Sequence, residues 1–363
     1  MSDRSSHRSV AIVEITGVHE EVIPSLVDAL PEGTKVEIFV NERCRAVRGD
    51  LFHELKGLNA KVIYVDIVTA GDWTALGERI DAGGHDALII STLQIDGVAK
   101  WARARTLPVI GVVHNPVLFQ RADDCKAWLA EDALGVIVLA PHVQARFNAM
   151  TQGSMIDKFG VIEPVFWGDD TQAQPNADSP RKVIVPGGVN FAARDFRGLV
   201  EALDPARARR LRERRIELQI IGGGADRAAL EVMLSERNLS DVVTLLELAP
   251  TGRVPYAAYI AALREAWAIY PLLPLTWPPY REYKITSAIP TAIGFALPVV
   301  LDRWTNGVYR VPALVTDAAI SAALDGLVDL EDADRTNLIQ EIESYFDAAR
   351  LRNQNEMAWL MRN

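Results

Sequence analysis

Residues 183–230 read "VIVPGGVNFAARDFRGLVEALDPARARRLRERRIELQIIGGGADRAAL", and they state one pattern twice. A short β-branched or apolar run (Val183–Val185, then Glu217–Ile221) ends on glycines, and a helical pattern follows each (Leu199–Leu203, then Ala225–Ser235). Strand, glycine turn and helix in alternation predict a parallel sheet wound with helices.

The alternation extends in both directions. Upstream, strands are expected at Val10–Ile15, Lys35–Val40, Ala60–Val65, Ala87–Ser91, Val109–Val113 and Gly135–Leu139, with helical stretches such as Glu21–Leu30, Thr74–Ala82 and Asp123–Glu131 between them. Downstream they are expected at Val242–Leu246, Ala268–Tyr270, Val299–Leu301 and Leu314–Thr316, with a helix over Tyr256–Glu265 and a long helical tail from about Asp332. The stretch "PVFWGDDTQAQPNADSPRK" (164–182) breaks the pattern and has the Pro, Asp, Gln and Asn content of an interdomain linker. The expected organisation is α/β: a Rossmann-like domain over 1–165, a linker over 166–182, a second Rossmann-like domain over 183–340, and a C-terminal helix over 341–363. A length of 363 residues exceeds that at which one core stops growing, which agrees with two domains.

A net charge of −10 excludes a nucleic-acid binder working by bulk electrostatics, though not a local basic pocket. Cys44 and Cys125 are too few for a disulfide framework or a zinc site, which points to a reducing, cytoplasmic setting. The polar start "MSDRSSHRSVAIVEI" runs into a strand rather than a secretory segment, and no apolar stretch is long enough to span a bilayer. Peripheral contact with the inner membrane face stays open.

Open α/β sheets bind ligands at the carboxyl ends of their strands, so the strand-to-helix loops hold the candidates. In "EITGVHEE" (14–21), Gly17 lets backbone N–H groups approach a ligand, and equally serves as a turn former; Glu14 and His19 flank it. In the quoted segment, Gly188 ends a strand, and Arg194 and Arg197 are placed either to clamp an oxyanion or to pair with Asp195 or Glu201. The glycines of "IIGGGAD" lack the dinucleotide fingerprint spacing. In "YREYKITSAIPTAIGFALPVVLD" (280–302), Lys284, Thr286 and Ser287 precede a helix, a layout suited to a diphosphate or to plain capping, and Pro290 shortens the helix's first turns. "PARARRLRERR" (205–215) reads as a solvated helix face, and Trp277–Tyr280 as a rigid loop.

The order of these motifs resembles that of GT-B glycosyltransferases, especially the nucleotide-sugar-dependent family 4 group. "TGVHEEVIPSLVDALPEGTKVEIFV" is similar to their opening turn, helix and second strand, "LPVIGVVHNP" to their strand-His segment, "VPGGVNFAARDFRGLVEAL" to their Gly-Arg…Lys-Gly segment, and "AIGFALPVV" to their Pro-Val-Val ending. The tail containing Trp359 is similar to their last helix, which crosses back to the N-terminal domain. The resemblance implies transfer of a sugar from a UDP- or GDP-sugar to a glycan, glycolipid or small-molecule acceptor. It places His114 against the donor sugar, the diphosphate on Lys284, Arg194, Arg197, Thr286, Ser287, Gly17 and Gly188, and the sugar or base near Glu282, Tyr283, Glu247, Leu248 and Gly223. The family's acidic pair falls on Tyr283 and Thr291, neither acidic, so retention is not inferred.

The departing diphosphate needs positive charge. No Asp-x-Asp motif stands at a strand end, and the adjacent aspartates of "GDDTQ" lie in the linker, so cations of the chain rather than a metal or cofactor are expected to serve. An inverting reaction also needs a base, for which Glu14, His19 and His114 are the candidates. A nucleotide-sugar epimerase, and a binding module or degenerate transferase without turnover, are the alternatives.

Overall fold

The computed structural model describes residues 8–362, apart from 56, 96, 132–133, 153–158 and 166–178. Strands β1 (Ser9–Glu14), β2 (Lys35–Asn41), β3 (Lys61–Val65), β4 (Ala87–Ile90), β5 (Val109–Val113), β6 (Leu134–Val138) and β7 (Phe159–Val161) form one parallel sheet in the order β3-β2-β1-β4-β5-β6-β7. In β1, Val13 lies opposite Phe39 of β2 and Ile90 of β4. Helices cover both faces, which is why these strands are nearly unbroken apolar runs rather than alternating ones.

The second sheet repeats the plan. Strands β8 (Arg181–Val185), β9 (Ile216–Ile220), β10 (Val243–Leu245) and β11 (Ala266–Ile269) pair in the order β10-β9-β8-β11. A parallel bridge from Ile269 to Val299 continues it into the pair β12 (Val300–Asp302) and β13 (Leu314–Thr316). In each sheet the strand order reverses direction once, between β1 and β4 and between β8 and β11. Those switch points are where an open α/β sheet leaves a crevice.

The expected strands lie within about two residues of observed ones. Strand β7 was not anticipated, because its three residues, Phe-Gly-Val, are too short to make a pattern. Two boundaries are corrected. Residues 181–182, assigned to the linker, belong to β8; linker residues 166–178, with Asp169 and Asp170, lie outside the described residues. The division at 340/341 falls inside one continuous helix, Asp332–Leu360.

That helix joins the halves. Its first part is held by Arg335 Nε donating to the Trp267 carbonyl (3.0 Å), with Ile342 in the second domain's core. Its last part crosses to the first domain. Arg350 pairs with Asp28 at 2.6 Å, Asn353 bonds both backbone groups of Glu163, and Met357 and Leu360 enter the core under the first sheet. A Cβ on Gly160 of β7 would press against Leu360. Leu51 and Val165 of the first domain also share a core with Ile184, Ile260 and Ile289 of the second. Burying one such leucine contributes about 1.5–3 kcal/mol, so this shared core helps hold the two domains together.

Candidate active-site cleft

At the first switch point the carboxylate of Glu14, at the end of β1, is fully buried and spans to the end of β4. One oxygen accepts from the Thr16 backbone N–H (2.7 Å) and the Thr16 hydroxyl; the other accepts from the hydroxyls of Ser91 (2.5 Å) and Thr92 (2.6 Å). Burial raises its pKa against the pull of those bonds. Both oxygens are occupied and neither reaches open space, so the expectation that Glu14 serves as a base is corrected: it staples two loops together.

The imidazoles of His19 and His114 stack above it, with ring centres 4.0 Å apart and planes 15° from parallel. His114 follows β5 and sits beside the Ser91 carbonyl, with Nε2 at 2.7 Å. A carbonyl can only accept, so Nε2 carries the proton and Nδ1 is bare. Burial and the neighbouring His19 push the His114 pKa down to about 3, which keeps the ring neutral.

His19 has a left-handed backbone (φ 68°), uncommon for a residue with a side chain. Its Nδ1 lies 3.7 Å from a Glu21 oxygen. Burial opposes a charge on His19, but Glu21, Glu14 and Glu20 outweigh it and raise its pKa above 6.5. Burial likewise opposes the Glu21 carboxylate, and His19 with Arg48 reverses the sign, taking its pKa down to about 2. Gly17, at φ +75°, adopts the turn that carries His19, with the exposed Arg43 side chain against it.

The second switch point is bridged by a cation. Arg194, after β8, is buried, and its Nη1 donates to the Pro271 carbonyl after β11. The guanidinium lies so close under Gly187 that a Cβ there would overlap it. Among the described residues no carboxylate pairs with it. Burial lowers its pKa, and the groups acting the other way are Tyr280 and Tyr259.

The glycines of this edge pack against one another. A Cβ on Gly222 would overlap the Gly187 carbonyl, one on Gly223 the Gly252 carbonyl, and one on Gly224 the Val189 backbone. Gly223 is thus required by loop packing, and its own carbonyl accepts from Val189 N–H (2.8 Å). A Cβ on Gly188 would only touch the Gly223 carbonyl at 3.4 Å. Leu248 lies beside Gly223, while Glu247 is exposed.

Arg197, another expected diphosphate ligand, is exposed and stacks over Phe191 at 4.8 Å. The helix after Lys284 begins only at Ala288, runs seven residues to Gly294 and has Pro290 in its first turn. Thr286 is buried, facing the Ala288 N–H at 3.4 Å, and Ser287 makes no side-chain cap. The expected anion-binding helix end is therefore replaced by a short, internally satisfied turn. Lys284 itself is half-buried, and its ammonium makes no ion pair among the described residues. Its carbonyl accepts from His142 Nε2 (2.9 Å) across the domain boundary. Glu282 is exposed and Tyr283 half-buried, both beside this loop.

Other residues connect the two edges. The Tyr256 hydroxyl donates to Glu20 at 2.7 Å, and Arg48 lies over the rings of Tyr256 (4.1 Å) and Tyr259 (5.3 Å). Tyr259 is within electrostatic reach of Arg48 and Glu21 on one side and Arg194 on the other. Sequence reasoning missed this group. Tyr256 and Tyr259 begin a helix whose pattern is otherwise that of a core, and Arg48 sits among several surface arginines. A cavity of about 550 Å³ adjoins the second sheet and borders Pro271, the residue that Arg194 holds. It is lined by Asp195, Glu201, Asp302 and Asp317 and by no cation, and so is ill suited to a diphosphate.

No protein-family model matches this sequence, and no curated protein does. Solved structures do match. The apo form of the lipopolysaccharide outer core galactosyltransferase WaaB aligns with 96% of this chain and 99% of its own, at 12% identity and a TM-score of 0.53. WaaG, a glycosyltransferase involved in lipopolysaccharide biosynthesis, aligns over 96% and 98% at 13% identity and 0.55. The UDP-forming α,α-trehalose-phosphate synthase of Burkholderia vietnamiensis aligns over 98% of both chains at 12% identity and 0.58. The fold is GT-B. At such identities the likeness extends to the fold alone. In GT-B terms, the first sheet's edge with His19 faces the second sheet's edge with Arg194, and the last helix crosses back. Among the described residues no helix is long and apolar enough to cross a membrane, and no three His, Cys, Asp or Glu gather as a metal cage.

Proposed function

We propose that this chain is a glycosyltransferase that moves a sugar from a UDP- or GDP-sugar to a hydroxyl acceptor, with its own cations rather than a metal stabilising the diphosphate. One observation carries the reading. Arg194 is a buried guanidinium with five N–H donors and, among the described residues, a single protein acceptor, at the switch point of the second sheet. A buried charge without a partner is costly, and a site that keeps one is suited to an anion from outside. Lys284 is the second cation, and Gly187 and Gly188 allow close backbone approach.

His19 is the base, with Glu21 as its orienting partner. Both face the cleft from the first domain, and loss of such a base costs about 10²–10⁴ in rate. His114, held neutral, contacts the sugar. A base of this kind belongs to inversion. The carbohydrate acceptor enters from the first domain, in a cytoplasmic setting.

Thermal-shift titration with UDP, GDP and ADP tests this first. A nucleotide at a hundredfold excess over its dissociation constant adds about 2.7 kcal/mol of stability. Donor turnover in the presence of EDTA, abolished by Arg194→Met or Lys284→Ala, is the expected result. No response to any nucleotide would sink the reading. Release of an altered nucleotide sugar without acceptor would replace it with an epimerase.

A further inference from the structure

The cavity beside the second sheet has no part in the chemistry proposed above. It lies between the ends of β11, β12 and β13 and the helix Phe196–Ala202, and its volume of about 550 Å³ is that of a small-molecule pocket. Asp195 caps that helix, and Gly198 and Glu201 follow at three-residue spacing, so one helix face looks into the space. Most of the wall is satisfied by its own contacts. Arg281 is buried, donates to the carbonyls of Leu273 and Pro274, and lies 3.3 Å from Asp302, so it fixes the loop after β11 and neutralises that carboxylate. Asp317, exposed at the rim, lies 3.3 Å from Arg303, and Arg194 holds the Pro271 carbonyl. Two carboxylates are left over. Asp195 spends Oδ1 on the Gly198 N–H at 2.8 Å, and Glu201 makes no ion pair among the described residues.

Carboxylates alone would make this an acidic surface; Tyr270 makes it more. It lines the same cavity and is only 8% exposed, yet its hydroxyl makes no hydrogen bond among the described residues. Burial, then the charges of Asp195 and Asp302, raise its pKa, and no cation acts against them. The phenol therefore stays protonated in a negative field. A buried O–H without an acceptor is costly to keep, and an acceptor arriving from outside removes that cost.

We propose that this cavity binds an amino alcohol about the size of an aminosugar, its ammonium held by Asp195 and Glu201 and one of its oxygens accepting from the Tyr270 hydroxyl. A bare metal ion suits the site less well. Among the described residues no three His, Cys, Asp or Glu gather as a cage, and the space exceeds what one ion fills. The site uses none of the residues of the transferase reading and stands apart from it.

The test is calorimetric titration of the full chain with D-glucosamine at about pH 6, where an amine is charged and carboxylates are ionised, against D-glucose as the neutral match. Ionic hydrogen bonds to two carboxylates should make glucosamine bind at least about tenfold tighter than glucose. Glu201→Gln, and Asp195→Asn, which keeps the helix cap, should each remove most of that preference. Tyr270→Phe should weaken glucosamine about fivefold, the worth of one hydrogen bond, with the melting temperature as folding control. Equal affinity for the two sugars, no binding of either, or a glucosamine affinity untouched by Tyr270→Phe overturns the proposal. Magnesium chloride that competes with glucosamine, and whose own binding is lost in Asp195→Asn, would make this a metal site and also overturn it. If glucosamine binds as expected but neither UDP nor GDP does, the amine site stands and the transferase reading fails instead.

Discussion

Each half of the molecule closes its switch point with one buried charged side chain, and the two do opposite things. Glu14 spans β1 and β4 and is saturated by four donors from Thr16, Ser91 and Thr92. Arg194 spans β8 and β11 and, among the described residues, donates to one carbonyl. The same topology thus saturates one buried charge with partners and leaves the other with donors to spare. The difference lies in hydrogen-bond accounting rather than in burial, because both residues are buried.

Substitutions at the two positions should therefore move different observables. Glu14→Leu leaves the Thr16 N–H and the Thr16 and Thr92 hydroxyls without their acceptor, while the Ser91 hydroxyl can still donate to the Val13 carbonyl at 3.1 Å; each group that stays buried and unpaired costs about 1–3 kcal/mol. We expect a loss of several kcal/mol in denaturant unfolding, the largest effect predicted here. Arg194→Met removes an unpaired buried cation and fills its volume. Stability should hold or rise, while donor turnover falls by about 10²–10³. If Arg194→Met unfolds the protein and Glu14→Leu does not, the two roles have been assigned the wrong way round.

The glycine edge sharpens the same contrast, because the loops around Arg194 pack through their backbone. Gly222→Ala drives a methyl into the Gly187 carbonyl, which cannot yield as a flexible side chain would. A loss of about 1–3 kcal/mol is expected, together with weakened UDP or GDP binding. Gly188→Ala, with its nearest neighbour at 3.4 Å, should cost less than about 1 kcal/mol. Equal effects in chemical denaturation would mean that the loops do not pack as tightly as this.

Much of the fold was legible because parallel strands buried on both faces leave apolar runs that need no partner to be recognised. Arg194 could be named from the sequence as a strand-end arginine, with an oxyanion clamp and pairing with Asp195 or Glu201 as equally open readings. Its isolation from Asp195 was not legible; Asp195 accepts from Gly198 N–H instead, and only coordinates reveal that choice. The helix after Lys284 misled in the other direction. Hydroxyls before an apolar run look like a ligand-binding end, yet Thr286 is buried and turned inward. The Tyr256, Tyr259 and Arg48 group depends on contacts between residues some 200 positions apart, which no local pattern encodes.

On the first sheet's edge, His19 offers a titration that the second edge lacks. Its pKa is raised above 6.5, so the base form and kcat/KM should rise with pH through a value above that. Glu21→Gln removes a carboxylate that favours the protonated ring, and the rising limb should move to lower pH. His114, already neutral with a pKa of about 3, should contribute no limb near neutrality. A pH profile unchanged by Glu21→Gln would remove His19 from the role of base.

A further small effect tests whether the two edges act together. His142 stands on the first domain and donates Nε2–H to the Lys284 carbonyl at 2.9 Å, while its buried Nδ1 has no partner among the described residues. Burial lowers its pKa, so the neutral ring is the form that makes this bond. His142→Ala removes one interdomain hydrogen bond, worth about 1 kcal/mol. If Lys284 binds the diphosphate only when the halves are apposed, that loss should appear in KM for the donor and leave kcat little changed. His142→Gln, whose amide can reach the same carbonyl, should recover part of it. A fall in kcat alone, or no rescue by glutamine, would mean that the second domain places Lys284 without help from the first.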